Sequence, residues 1–214
     1  MHALLIGATG ATGKDLLDSL LQDESVHRVD IFVRRNLAIV HPKLRVHVID
    51  FDKPDQWNQL VKGDVLFSCL GTTLKTAGSK EAQWKIDLEY QYVFAKVAAD
   101  NQVPGYVLVS SSGANPDSFV FYTKMKGKLE EAVKALGFPS ISIFNPPLLI
   151  RKGTDRAVEK IMKKVLTFLN KFGLLISQKP LPTEVLAKAM IQAAKGKKPG
   201  VVAYKEQEIW DLAG

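Results

Sequence analysis

The sequence predicts an α/β fold: a doubly wound parallel sheet with helices on both faces. Three observations carry that expectation. Short runs rich in Val, Ile, Leu and Phe alternate along the chain with longer segments of helical spacing. Short runs of that composition suit strands buried on both faces. The first run ends in a glycine-punctuated corner, "IGATGATGK", that leads directly into a helical pattern. Such alternation is the sequence form of parallel strands joined by crossover helices.

The first strand is expected over Ala3–Ile6 and the first helix over Gly13–Leu21. Strands follow at Val29–Val33, Arg45–Ile49, Val65–Cys69, Tyr106–Ser110 and Ser140–Phe144. Helical patterns cover Pro54–Leu60, Glu81–Ala99 and Lys124–Leu136, the last ended by Gly137 and Pro139. The alternation stops near Pro147. Residues 151–180 are basic, with an amphipathic helix over Val158–Phe172. "PTEVLAKAMIQAAKGKKPG" reads as a helix with Thr183 as N-cap and Gly196 as stop, and Val201–Tyr204 as a last strand. The expected organisation is one domain over residues 1–214. Residues up to about 147 form its cofactor part, and about 148–214 form a small substrate-side C-terminal appendage.

Composition narrows the function classes. With 46% hydrophobic and 24% charged residues the chain can bury a full core. No apolar run reaches the roughly 18 residues of a membrane span, and "MHALLIGATG" lacks the basic start of a signal peptide. The single cysteine, Cys69, excludes an intramolecular disulfide. These features predict a cytoplasmic protein. A formal charge of +7 admits nucleic acid, an anionic membrane or a phosphorylated ligand as partner. The charge is dispersed, however: Arg34-Arg35, the lysines from Lys160 to Lys171, and "KGKK" at 195–198 lie far apart. It reads as a basic surface, the arginine pair excepted, with no nucleic-acid partner and no membrane partner expected. His2, His27, His41 and His47 lack metal-ligand spacing and read as surface or strand-edge residues, so no metal is expected. Cys69 reads as a core thiol, and Trp57, Trp84 and Trp210 as packing residues.

The glycine corner is shaped for a dinucleotide. Gly7 makes the tight turn out of the strand, Gly10 leaves room for a pyrophosphate against the backbone, and Gly13 lets the helix pack close to the sheet. The helix start then offers free N–H groups to the phosphates. A P-loop is excluded: Asp15 stands where Ser or Thr would hold magnesium. At the end of the second strand, "VDIFVRRN" carries Arg34 and Arg35 in place of the acidic ribose ligand of NAD sites. Forked guanidinium donors suit the 2′-phosphate of NADP. After the third strand, Asp50, Phe51 and Asp52 in "IDFDK" are placed to line the adenine side, with capping of a helix at Pro54 as the alternative for Asp52.

The fifth strand runs into "VLVSSSGANPDSFVFYTKMKGKLEEA". Tyr122 and Lys126, four apart, share one face of a helix. An ammonium one turn away favours the ionised form of a tyrosine and makes it a usable general acid or base. Lysine can also bond the nicotinamide ribose. Ser110, Ser111 and Ser112 are candidates to hold a substrate carbonyl. Asp87 in "KIDLEYQY" reads either as an active-site neighbour or as part of a solvated helical face.

In these pieces, with "CLGTTLKTAGS" and "SSSGAN", the chain resembles the atypical short-chain dehydrogenases/reductases, and within them the Tat-interacting-protein-like branch. The resemblance is strongest from residue 3 to about 150 and implies a Rossmann fold with bound NADPH. It assigns Thr9, Gly10, Ala11 and Thr12 to the phosphate loop and Arg34 and Arg35 to the 2′-phosphate. Leu70, Gly71 and Thr72 fall beside the adenosine ribose and pyrophosphate, Tyr122 and Lys126 form the catalytic pair, and Ser111 is the family serine. Pro146, Leu149 and Arg156 fall where further cofactor contacts are expected. The chain departs from the family after the sixth strand, where "FNPPLLI" puts Asn145 and Pro147 in place of an arginine and a glycine. Pro147 has no N–H for the nicotinamide end. The expected activity is hydride transfer between NADPH and a small carbonyl or alcohol. The alternatives are an NADPH-sensing regulator that binds a protein partner and, from the helix over Val158–Phe172, a membrane-surface protein.

Overall fold

The computed structural model describes residues 1–150 and 180–214. Arg156 and the helix expected over Val158–Phe172 lie outside the described residues. Seven parallel strands form one sheet: β1 (His2–Ile6), β2 (Arg28–Val33), β3 (Leu44–Val48), β4 (Val65–Ser68), β5 (Gly105–Val109), β6 (Ser140–Phe144) and β9 (Gly200–Tyr204). Their order is β3-β2-β1-β4-β5-β6-β9. Two short strands, β7 (Leu149–Ile150) and β8 (Leu181–Pro182), pair separately and also in parallel. The order reverses between β1 and β4, which opens a crevice at the carboxyl ends of those strands.

Both faces of the sheet are covered along its central strands. Along β1, Ala3 and Leu5 enter one core with Leu16 and Leu20 of α1 (Ala11–Gln22) and with Leu186 and Met190 of α6 (Thr183–Gly196). Ile209 of α7 (Glu206–Ala213) completes that layer. Leu4 and Ile6 point the other way, into a core with Phe94 of α4 (Tyr90–Asp100) and with Leu129 and Val133 of α5 (Phe121–Lys134). Leu4, Leu5 and Ile6 are fully buried. Each contributes about 1.5–3 kcal/mol of transfer free energy, which no alternating strand could match.

The departures from expectation have local causes. Pro54–Leu60 is two 3₁₀ turns rather than a helix. Between them Trp57 is buried, stacked on Phe94 and donating from Nε1 to the Asp50 carbonyl at 2.8 Å, so core packing overrides the helical pattern. The helix expected over Glu81–Ala99 is interrupted. A short α3 (Lys80–Trp84) passes into a π-helical turn over Lys85–Glu89 before α4, preceded by a one-turn α2 (Leu74–Ala77). Thr183 is the first residue of α6, not its cap: Pro182 precedes the helix, and the Thr183 hydroxyl donates to the Ile150 carbonyl at 3.4 Å. The helix does stop at Gly196, where Lys197 takes up a left-handed conformation (φ 43°). His2 and His47 are not bland surface residues, since both hydrogen-bond the fully buried Asp30 of β2.

Candidate functional site

A cleft of about 530 Å³ opens at the carboxyl ends of the strands around the switch point. The corner after β1 forms its floor. Gly7 has φ +84°, and a Cβ there would sit 2.4 Å from the Cys69 backbone. The Gly10 N–H closes the turn on the Gly7 carbonyl at 2.9 Å. A Cβ on Gly13 would lie 2.0 Å from the same carbonyl, so only glycine lets α1 start this close to β1. At Gly10 the one tight contact is 3.2 Å, to Gly7, and the residue lines the cleft. Gly10 is also the N-cap of α1 and offers no side-chain cap, and no acidic residue occupies the first turn. The helix start therefore presents unsatisfied N–H groups to the cleft, the arrangement that receives an anion.

Thr9 lines the same floor, whereas Ala11, Thr12 and Gly13 form the first turn of α1 behind it. Arg34 and Arg35 line the wall beyond β2. Both are exposed, and among the described residues neither has a carboxylate partner. Phe51 lines the cleft from the β3 side and stacks on Tyr90, with ring centroids 5.2 Å apart. Asp50 and Asp52 turn elsewhere. Asp50 receives the Trp57 indole N–H on its carbonyl and the Asp52 N–H on its carboxylate. Asp52 pairs with Lys85 at 2.7 Å and accepts from the Tyr90 hydroxyl, so it ties α4 to this loop and caps nothing. Leu70, Gly71 and Thr72 line the opposite rim after β4. Cys69 also reaches the cleft instead of lying wholly in the core, and burial pushes its thiol up to about 12, against the pull of the Lys126 charge.

The remaining candidates lie beyond that rim, at the ends of β4, β5 and β6. Lys126 is buried in α5, its Nζ donating to the Val109 carbonyl at 3.4 Å. Tyr122, one turn earlier, is 40% exposed. Neither residue lines the cleft as it stands. The structure separates two of the three serines chemically. The Ser110 hydroxyl is committed to Glu130, whereas the buried Ser111 hydroxyl has no partner among the described residues. Asn145 explains the departure after β6: its Nδ2 donates to Glu130 at 2.7 Å and to the Ser111 carbonyl at 3.2 Å, locking the end of β5 to α5. Pro146 is buried and accepts the Ser112 N–H at 2.9 Å; Leu149 sits in β7, half-buried. Close packing of α5 on the serine loop depends on Gly127, where a Cβ would sit 2.2 Å from the Pro116 nitrogen.

Asp87 is 1% exposed and faces the site, not solvent. Its Oδ1 accepts the Thr72 N–H at 2.8 Å, and its Oδ2 has no hydrogen-bond partner among the described residues. Burial raises the carboxyl above the ordinary range; the Lys126 charge, the Thr72 N–H and Gln83 pull back without cancelling it. Gln91 joins this region to β4, accepting from Ser68 at 2.7 Å and donating to the Asp87 carbonyl at 2.6 Å. Glu130, Gln83 and Gln91 escape sequence reading because polar residues on a helix normally mark its wet face. The residues fit a dinucleotide on three counts: an open helix start, a glycine cradle that a Cβ would crowd, and guanidinium and hydroxyl groups without a partner among the described residues.

A profile described as NAD(P)H-binding matches residues 7–139. Protein fmp52, mitochondrial, of Emericella nidulans is 33% identical, the alignment covering 100% of this chain and 95% of that protein. Protein fmp52-1, mitochondrial, of Aspergillus terreus is 35% identical over 98% and 94%. Protein FMP52, mitochondrial, of Meyerozyma guilliermondii is 34% identical over the same shares. Among solved structures, MoeE5 in complex with UDP-glucose and NAD superposes with a TM-score of 0.72 at 15% identity, covering 100% of this chain and 81% of that one. The DesIV double mutant, a dTDP-glucose 4,6-dehydratase from Streptomyces venezuelae with NAD and DAU bound, gives 0.71 at 14%, covering 100% and 79%. At such identity the likeness shows the Rossmann-like fold. The relatives' names overturn the cytoplasmic expectation: a lone thiol excludes a disulfide but does not distinguish one compartment from another. Over most of its strand–helix core, and with its glycine corner at the start of the match, this chain belongs to the NAD(P)H-binding family.

Proposed function

We propose that this protein is an NADPH-dependent oxidoreductase of the short-chain type, of the Tat-interacting-protein-like branch, acting on a small carbonyl or alcohol. The observation that carries the reading is the grouping, in one cleft, of the uncapped α1 start, the glycine corner and two exposed arginines that have no carboxylate partner among the described residues. Arg34 and Arg35 take the 2′-phosphate, Thr9 to Thr12 the pyrophosphate, Phe51 the adenine side, and Leu70 to Thr72 the adenosine ribose. Bound NADPH would supply a hydride to a carbonyl carbon. The chain's own residues do the rest. Ser111 donates its uncommitted hydroxyl to the carbonyl oxygen and orients it. Tyr122 delivers a proton to that oxygen as charge develops on it. Lys126 supports the tyrosine electrostatically and binds the second ribose. The relatives' names support a mitochondrial setting. The experiment is NADPH oxidation by the full chain against a panel of aldehydes, ketones and quinones. Turnover abolished by Tyr122→Phe supports the reading; tight NADPH binding with no turnover on the panel sinks the enzyme and leaves a cofactor-binding regulator.

A further inference from the structure

The sheet has two edges, and the chain treats them differently. β3 lies at one end of the strand order and β9 at the other. Natural sheets guard such edges against other strands with charges, prolines or bulges within the strand. β3, "LRVHV", carries the exposed Arg45. β9, "GVVAY", has no charged residue and no proline, yet Gly200, Val201 and Ala203 are exposed. Among the described residues no strand lies beyond β9, which pairs with β6 alone.

The register against β6 decides which main-chain groups point outward. The Gly200 N–H donates to the Pro139 carbonyl, and the Tyr204 carbonyl accepts the Asn145 N–H, both at 2.9 Å. In a strand the N–H and C=O of one residue point to the same side, and the side alternates from residue to residue. Gly200, Val202 and Tyr204 therefore face β6, and Val201 and Ala203 turn both their polar groups away from it. We propose that a second copy of this chain pairs with the β9 edge, antiparallel, about a two-fold axis at Val202. A contact that uses the same patch on both copies closes at a dimer.

Three features of the chain select this occupant and this register. With the axis at Val202, Val201 of each copy stands opposite Ala203 of the other, and each such pair exchanges both its hydrogen bonds. An axis at Val201 would set Ala203 against Pro199, which has no N–H. An axis at Ala203 would set Val201 against Lys205, whose N–H is already held by the Glu208 carboxylate at 2.7 Å. The side chains agree with the hydrogen bonds. Val202 packs half-buried against the core beneath α6 and α7, and a non-hydrogen-bonded pair brings facing side chains closest, so the two Val202 side chains would join the two cores. The flanking charges agree as well. The same register sets Lys198 opposite Glu206 of the second copy, at both ends of the pair. Lys198 keeps to the strand, its ammonium 5.8 Å from the Tyr204 ring centroid, and Glu206 opens α7. That the two flanks of one strand answer each other favours a second copy over a foreign strand.

The test is sedimentation equilibrium of the full chain, without cofactor, over a range of concentrations. The parent should reach twice the mass of one chain and go no further. Ala203→Pro removes an outward N–H from each copy and leaves the bonds to β6 intact, and should raise the dimer dissociation constant about tenfold or more. Lys198→Glu should weaken the dimer at low salt, and adding Glu206→Lys should restore it. A parent that stays at the mass of one chain, a parent that grows beyond two chains, or a dimer as tight as the parent's in either single variant overturns the proposal. Should Ala203→Pro fail to fold, amide hydrogen exchange of the parent decides. The Val201 and Ala203 amides should exchange more slowly as protein concentration rises, and exchange independent of concentration overturns the pairing.

Discussion

Gly7 and Gly10 stand three residues apart and fail in different ways when given a side chain. At Gly7 an alanine meets both a left-handed backbone and the Cys69 main chain at 2.4 Å. The backbone strain alone costs about 1–3 kcal/mol, and the overlap with main-chain atoms adds to it. Gly7→Ala should therefore lower the urea midpoint sharply. Gly10 has an ordinary φ of −74° and one contact at 3.2 Å, so Gly10→Ala should unfold close to the parent midpoint yet bind NADPH poorly, its methyl group projecting where phosphate approaches. On the proposed reading, Tyr122 is the residue on which the chemistry turns. Tyr122→Phe keeps the ring and removes the proton, so turnover should fall by about 10²–10⁴-fold. NADPH affinity should hold, because the phosphate loop and the arginines are untouched. Fluorescence titration beside steady-state NADPH oxidation reads both effects, and full activity in this variant removes the tyrosine from the mechanism.

β2 leads at one end into Arg34 and Arg35, which line the cleft, and holds a buried ionic group inside it. Burial alone would push the Asp30 carboxyl up, but hydrogen bonds from His2, His47 and Arg28, with the Arg28 charge, hold it well below the usual carboxylate range. The cluster ties β1, β2 and β3 together, β3 being the sheet edge. A carboxylate whose folded value is depressed stabilises the protein above its unfolded value, near 3.9, and loses that contribution as pH falls toward the folded one. The urea midpoint should therefore drop between about pH 5 and pH 3, and Asp30→Asn, less stable at pH 6, should show a flatter drop over that window. A variant with the parent's slope would show that Asp30 is not the group responsible. This cluster also marks a limit of reading elements from sequence. Strand positions and the β1–α1 corner were legible because apolar runs and glycine spacing are local signals. Asp30 inside "VDIFV" and His2 at the first strand gave no sign of converging, because pairing across strands depends on register. The π turn was illegible for the same reason: "KIDLEYQY" has ordinary helical spacing, and the Thr72 N–H that Asp87 accepts lies 15 residues away. Trp57 broke an expected helix by packing on Phe94, a partner 37 residues away that no local window contains.

At the scale of the molecule, the candidate residues fall on two sides of the rim after β4. The β1–β2 side carries the open helix start and the two exposed arginines of the cleft, and the β4–β6 side carries buried polar groups, Lys126, Asp87, Ser111 and the Glu130–Asn145 lock. On the first side the glycines and the arginines were visible in the sequence, whereas Asp50 and Asp52, expected on the adenine side, engage Trp57 and Lys85 instead. The second was visible as Ser111, Tyr122 and Lys126, but not as the network that holds them, since its members come from four separate elements. On the proposed reading the ligand carries a phosphate for the arginines and reaches across the switch point. Charge-assisted bonds of about 1.5–3 kcal/mol each, discounted for the exposure of both guanidinium groups, outweigh the roughly 0.3–1 kcal/mol of an exposed helix dipole. Arg34 and Arg35, not the helix start, should therefore decide between cofactors. The direct measurement is titration of the full chain with NADPH and with NADH, repeated on the Arg34→Ala/Arg35→Ala variant. NADPH should bind the parent about 10- to 10³-fold more tightly than NADH, and the double variant should lose that advantage while its NADH affinity stays unchanged. Equal affinities of the parent for the two dinucleotides, or a variant that keeps its preference for NADPH, would contradict the assignment of this cleft.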